Sequence, residues 1–156
     1  STGSTENDSY VSYNYMEGHW QVGTLSRTAG FDTGTFVYPN YVDATGIIYE
    51  HEVGYAYDSD TEIFAESGPI QLGNGDRMMV AKSLIPDEKT QGDVTATFKT
   101  RFFPNGTESS FGPFDMANPT SVRFQGRQVQ MRITGNTPTS WRVGTMRLDV
   151  VEGGRR

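Results

Sequence analysis

Val94-Thr95-Ala96-Thr97-Phe98-Lys99-Thr100-Arg101-Phe102-Phe103 alternates with period two. Val94, Ala96, Phe98, Thr100 and Phe102 fall on one face, and Thr95, Thr97, Lys99 and Arg101 on the other. That is the pattern of a strand with one side on a core and the other in water. Pro104-Asn105-Gly106 closes it with a turn. The rest of the chain has the same chemistry. Its 156 residues include four Leu and seven Ala against twelve Val, six Ile and eighteen Thr, with nine Phe and eight Tyr. β-branched and aromatic side chains suit a pleated surface and lose rotamer freedom in a helix. Eighteen Gly and seven Pro supply turns for many short strands. A helical bundle is excluded, and no apolar run is long enough for a helical membrane span.

Working outward, Val11, Tyr13 and Tyr15 alternate with Tyr10, Ser12 and Asn14, and Glu17-Gly18 turns the chain into a returning strand through Trp20 and Val22. A further run covers Gly30 to Tyr38 and stops at Pro39-Asn40. Ile47, Tyr49, His51 and Val53 alternate with Ile48, Glu50 and Glu52, a strand with an acidic face toward water. Later strands are expected near Glu62–Ser67 and Arg77–Ile85, with Phe111-Gly112-Pro113-Phe114 as an irregular crossing loop. The apolar parity shifts between Val122/Phe124 and Val129/Met131/Ile133, and again around Gly144, which predicts bulges at Gly126 and Gly144. The expected fold is all-β: a flexible lead-in over 1–9, β-hairpins over 10–58, and an antiparallel β-sandwich over 59–156.

Charge divides the chain at the same place. Residues 1–66 hold eleven Asp or Glu and a single base, Arg27, a balance of −10; residues 67–156 hold eight acids and twelve bases, a balance of +4. An acidic chain of this kind is poorly suited to gripping nucleic acid. The arginines Arg123, Arg127, Arg132, Arg142, Arg147, Arg155 and Arg156 crowd the last 34 residues. They read either as outward charges on alternating strand positions or as contacts to a neighbouring subunit.

No constellation argues for catalysis. Asp32-Thr33-Gly34 spells the aspartic-protease triplet, but once only, and an ordinary turn accounts for it. Asp58-Ser59-Asp60-Thr61-Glu62 spaces carboxylates as a Ca²⁺ loop does, without that loop's Gly and distant Glu. Gly73-Asn74-Gly75-Asp76 reads as a tight turn. His19 and His51 are too few for a zinc site and are expected to be structural or surface residues. Neither a catalytic residue, a metal site nor a cofactor is therefore expected.

Several strings nevertheless share a likeness: Tyr13-Asn14-Tyr15, Trp20, Gly23-Thr24-Leu25-Ser26-Arg27-Thr28-Ala29, Tyr49-Glu50-His51-Glu52, Phe124-Gln125-Gly126-Arg127-Gln128-Val129, Met131-Arg132, Trp141-Arg142-Val143-Gly144, Arg147-Leu148-Asp149, and the terminal Gly153-Gly154-Arg155-Arg156. Spread over most of residues 10–156, they resemble the C-terminal region of tail hub or nozzle proteins of short-tailed bacteriophages. The resemblance implies a virion structural protein, assembled as a homo-oligomeric ring with other tail proteins, through which DNA passes without specific binding. It also implies that residues 10 to about 57 are the last blade-like hairpins of a β-propeller, and that the chain is part of a longer polypeptide.

On that reading Glu50 and Glu52 face the lumen, where like charge keeps DNA from sticking, and Arg123, Arg127, Arg132, Arg142 and Arg147 contact neighbours. The alternative is a carbohydrate- or receptor-binding β-sandwich that stacks sugars on Tyr10, Tyr38, Tyr41, Tyr55 or Tyr57.

Overall fold

A computed structural model describes residues 5, 7–55, 62–73, 77–87 and 89–154. The chain is all-β, every strand pairing is antiparallel, and no helix occurs among the described residues. It divides into two units, Ser1–Gly54 and Tyr55–Arg156. The boundary expected near residue 59 lies outside the described residues, as do Tyr57, positions 58–61 of the acidic run, 74–76 of the tight turn, and Arg155 and Arg156.

The first unit holds two small sheets. β1 (Ser9–Asn14) and β2 (His19–Thr24) form a ribbon in which Val11 faces Val22 and Tyr13 faces Trp20. Asn14 caps its turn, accepting from the Met16 and Glu17 amides at 3.0 and 3.1 Å. β3 (Ala29–Phe31), β4 (Asn40–Val42) and β5 (Ile48–Glu50) form a meander.

Two expectations are corrected here. The run from Gly30 is strand only to Phe31, and residues 33–38 bend, because Asp32 turns its carboxylate onto the Thr33 amide at 2.7 Å and Pro39 has no amide to pair. The strand expected through Val53 is confined to Ile48–Glu50. Its partner β4 is only as long as that, lying between Pro39 and the Asp43 turn.

The second unit is a sandwich. β6 (Ile63–Glu66), β7 (Ile70–Gln71), β9 (Val94–Arg101), β10 (Ser109–Asp115) and β12 (Gln128–Gly135) make one sheet, ordered β10-β9-β12-β6 with β7 also on β12. β8 (Met79–Ile85), β11 (Thr120–Gly126) and β13 (Arg147–Glu152) make the other, with β8 central. Between them lie Ala81, Leu84, Val94, Ala96, Phe98, Met116, Val122, Phe124, Val129 and Ile133. Phe98 of one layer stacks 4.8 Å from Phe124 of the other. In β9, Val94, Ala96, Phe98 and Thr100 alternate inward as expected, whereas Phe102 lies beyond the strand and is exposed.

Phe111–Phe114 is not a crossing loop but part of β10. Phe98 pairs with Phe111 and Ala96 with Phe114, so Gly112 and Pro113 together oppose Thr97. This bulge turns an odd and an even aromatic toward the same core. Only glycine fits there: Gly112 has φ 116°, and a Cβ would lie 2.8 Å from the Ala96 carbonyl oxygen.

The parity shift at Gly126 also has a different cause. β11 ends at Gly126 and β12 begins at Gln128 in the opposite sheet, so the chain changes layers and its inward set is renewed. The bulges lie elsewhere, level with Lys82. Val122 and Arg123 together oppose Lys82 on the β11 side, and Lys82 is the extra residue on the β13 side. Gly144 lies in the irregular stretch before β13.

Candidate assembly surface

The ribbon of the first unit is amphipathic by pairing. Tyr10, Ser12 and Asn14 share one face with Gly23, Gln21 and His19; Val11 and Tyr13 share the other with Val22 and Trp20. The Tyr10 ring covers Gly23, filling the space a cross-strand side chain would take. On the apolar face the Tyr13 and Trp20 rings meet at 4.5 Å, yet Trp20 is 70% exposed and Val22 69%. Phe31, Phe36, Val37, Ile48 and Val53 of the unit are also at least half exposed. Its buried described residues are Pro39 and Asn40 alone. A two-stranded ribbon is marginal in water, and open apolar surface of this kind is where proteins, membranes or ligands dock.

The meander is held by a polar-aromatic cluster instead of a core. Tyr41 of β4 lies over Gly30 of β3, and Tyr49 of β5 stands beside it in register. The Arg27 guanidinium sits 3.9 Å above the Tyr49 ring and donates from Nε to His51 Nε2 at 3.3 Å. His51 meets the Tyr41 ring edge-on at 4.8 Å. The Tyr49 hydroxyl donates to Asp43 at 3.2 Å, and Asp43 Oδ1 accepts from the Thr45 hydroxyl at 2.7 Å and from the Thr45 and Ile47 amides at 2.8 and 3.0 Å. The Thr45 hydroxyl above all, supported by those amides and Tyr49, holds the Asp43 carboxyl down from 3.8 to about 2. Burial, then the Arg27 charge, keeps His51 below 6.5 against the pull of Glu52.

Composition did not single out this cluster. The available signals were Arg27, the only base in the acidic half, and the turn string Asp43-Ala44-Thr45-Gly46. Glu50 and Glu52 are exposed, and among the described residues neither makes an ion pair. They do not share a strand face: Glu50 ends β5, while Glu52 lies in a bend with φ 62°.

In the second unit the arginines separate by environment. Arg132 is committed within the unit, bonded to Glu62 at 2.6 Å and Glu66 at 3.2 Å, with its guanidinium 3.6 Å above the Phe64 ring. Lys99 and Gln130 join the same carboxylate, Glu66, at 3.1 and 2.7 Å, making a charged ladder across β6, β12 and β9. Arg127 is the residue between β11 and β12, with its guanidinium 5.5 Å from the Phe103 ring. Arg123, Arg142 and Arg147 are exposed. Arg123 is held at φ 37° on the β11 bulge and bonds Ser121 Oγ at 3.2 Å. The Arg142 backbone bridges Gln91, and Arg147 opens β13 opposite Ile85.

The ladder has a pH signature. The Lys99 hydrogen bond, then that of Arg132, hold Glu66 below 4.5 despite burial. The folded state therefore binds a proton less readily than the unfolded chain. The contribution is full above 4.5 and is lost as pH falls through the folded value. Unfolding of the second unit, followed by Trp141 fluorescence, is expected to become easier below pH 4.5, and Glu66→Gln is expected to flatten that dependence.

Asp32 is exposed and bonded to its own turn, and the sugar-binding tyrosines of the alternative reading are partly occupied: Tyr10 and Tyr41 each cover a glycine, while Tyr38 and Tyr55 are exposed. Among the described residues no three His, Asp or Glu gather as a metal site would need, and no helix is long and apolar enough to cross a membrane. Compared with protein-family models, curated proteins and solved structures, the chain matches none.

Proposed function

We propose that this chain is a structural, non-enzymatic part of a short-tailed bacteriophage tail, in the hub or nozzle ring through which DNA passes. It acts in the virion as a homo-oligomer beside other tail proteins. The observation that supports this most is the open apolar surface of the first unit: Val11, Tyr13, Trp20 and Val22 line one ribbon face with nothing of their own unit over them. Packing against a neighbouring copy or another tail protein would take that surface out of water. The resemblance of the strings around it supplies the setting. Arg123, Arg142 and Arg147, exposed on the second unit, are the arginines left to meet neighbouring copies, and Glu50 and Glu52 are the exposed acids that would line the passage.

The test is made in assembled particles. Glu50→Lys with Glu52→Lys is expected to slow genome ejection while particle yield is unchanged, because cationic side chains hold passing phosphates. Trp20→Ser with Val22→Ser is expected to lower incorporation of the chain severalfold. Failed assembly of the lysine variant with normal ejection from surviving particles would overturn the lumen assignment. Undiminished incorporation of the serine variant would overturn the assembly surface.

A further inference from the structure

We propose that His51 is an acid-sensitive latch on the β3–β5 meander: it holds Arg27 while neutral and releases it once protonated, loosening the first unit. The geometry permits the contact in one protonation state only. An arginine Nε carries its proton at every accessible pH, so across the 3.3 Å to His51 Nε2 the arginine must donate and the histidine must offer a lone pair. The imidazole proton is thereby assigned to Nδ1. Protonating Nε2 would set two N–H groups and two positive charges against each other at that distance.

Every group packed around the ring bears on this balance. Arg27 approaches from the segment before β3, and its charge disfavours a second one. Tyr41 of β4 meets the imidazole ring edge-on at 4.8 Å, an uncharged neighbour that covers part of it. Tyr49 of β5 holds the Arg27 guanidinium from beneath, and its hydroxyl is tied to the ionised Asp43. Glu52, next along the chain, is the acid that favours protonation, and burial together with Arg27 outweighs it. Glu50 lies opposite Asn40 in the sheet register, off the Gly30-Tyr41-Tyr49 row on which this cluster is built.

The consequence is large for one side chain because little else holds this sheet. Pro39 and Asn40 are the unit's only buried described residues, and the His51 amide itself donates to the Pro39 carbonyl at 2.8 Å. Arg27 fastens the start of the meander to its end, 24 positions along the chain. Because His51 is kept below 6.5 in the folded state, the unfolded chain takes up the proton first. The latch's contribution is therefore full above about pH 6.5 and is lost as pH falls from there toward the folded value. This inference stands apart from any virion role.

Amide hydrogen exchange of the full chain, read at Tyr41 and Tyr49 between pH 7.5 and 5 and corrected for intrinsic rates, tests it. Protection is expected to fall on acidification. It is expected to stay constant in His51→Gln, whose amide oxygen still accepts from Arg27 and does not titrate. The His51 ring resonance in Arg27→Gln is expected to titrate at higher pH than in the parent chain. Equal loss of protection in the parent and His51→Gln, constant protection while His51 titrates, or an unmoved His51 midpoint in Arg27→Gln would each overturn the latch.

Discussion

Phe98→Ala is expected to destabilise the second unit by about 3–5 kcal/mol. Phe98 is 2% exposed at the middle of β9, with its ring 4.8 Å from Phe124 across the sandwich and 6.1 Å from Phe114 on the neighbouring strand. Truncation leaves a cavity whose walls are strands pinned by their own ladders, so the layers cannot close around it. A domain of ordinary stability has roughly 5–15 kcal/mol in all, which makes this single change a large part of the total. The measurement is urea unfolding followed by Trp141, in a Trp20→Phe background so that only the second unit reports. A loss below about 1 kcal/mol would mean that the two sheets do not share this core.

The second large effect is expected from Gly30→Val in the first unit. A Cβ at this position would clash with Cδ1, Cε1 and Cγ of the Tyr41 ring, so the ring must swing away and break its contact with His51. Overpacking of this kind costs about 1–3 kcal/mol. In a unit with two buried described residues, that is enough to undo the three-stranded meander. Exchange protection at Tyr41 and Tyr49 is expected to be lost while the Trp141 transition is unchanged. Gly34→Ala is the reference, since nothing lies within 4 Å of a Cβ there, and it is expected to stay within about 0.5 kcal/mol of the parent. Retained protection in Gly30→Val would show that Tyr41 does not depend on a bare backbone beneath it.

Much of the second unit was legible because a strand between a core and water writes its environment into a two-residue period. β9 shows inward Val94, Ala96, Phe98 and Thr100 with polar residues between, and β12 places Val129 and Ile133 inward on the expected parity. The ribbon was legible from alternation as well, with Val11 and Tyr13 set against Ser12 and Asn14 across a Glu17-Gly18 turn, although both of its faces are exposed. What misled was parity without partners. Val122 to Met131 looked like one bulged strand, although two successive strands in opposite sheets produce the same phase change. Phe111-Gly112-Pro113-Phe114 reads locally as an irregular loop, whereas pairing with β9 makes it a bulged strand in which Thr97 faces two residues at once.

The candidate surface divides in the same way. Composition showed that acids crowd the first half and arginines the last stretch, but it could not show that Arg132 is bound to Glu62 and Glu66, 70 and 66 positions away, while Arg123 stands exposed on a bulge. Nor could it place Arg27 against His51. By itself the sequence determined the all-β class, the β1–β2 hairpin and the inward parity of β9 and β12, because these follow from side-chain alternation and turn chemistry within a few residues. Only the tertiary structure decided which strands share a sheet, where the bulges fall, which charges are paired and which apolar face is left open. Those depend on pairing between distant segments, and a local pattern carries no record of its partner.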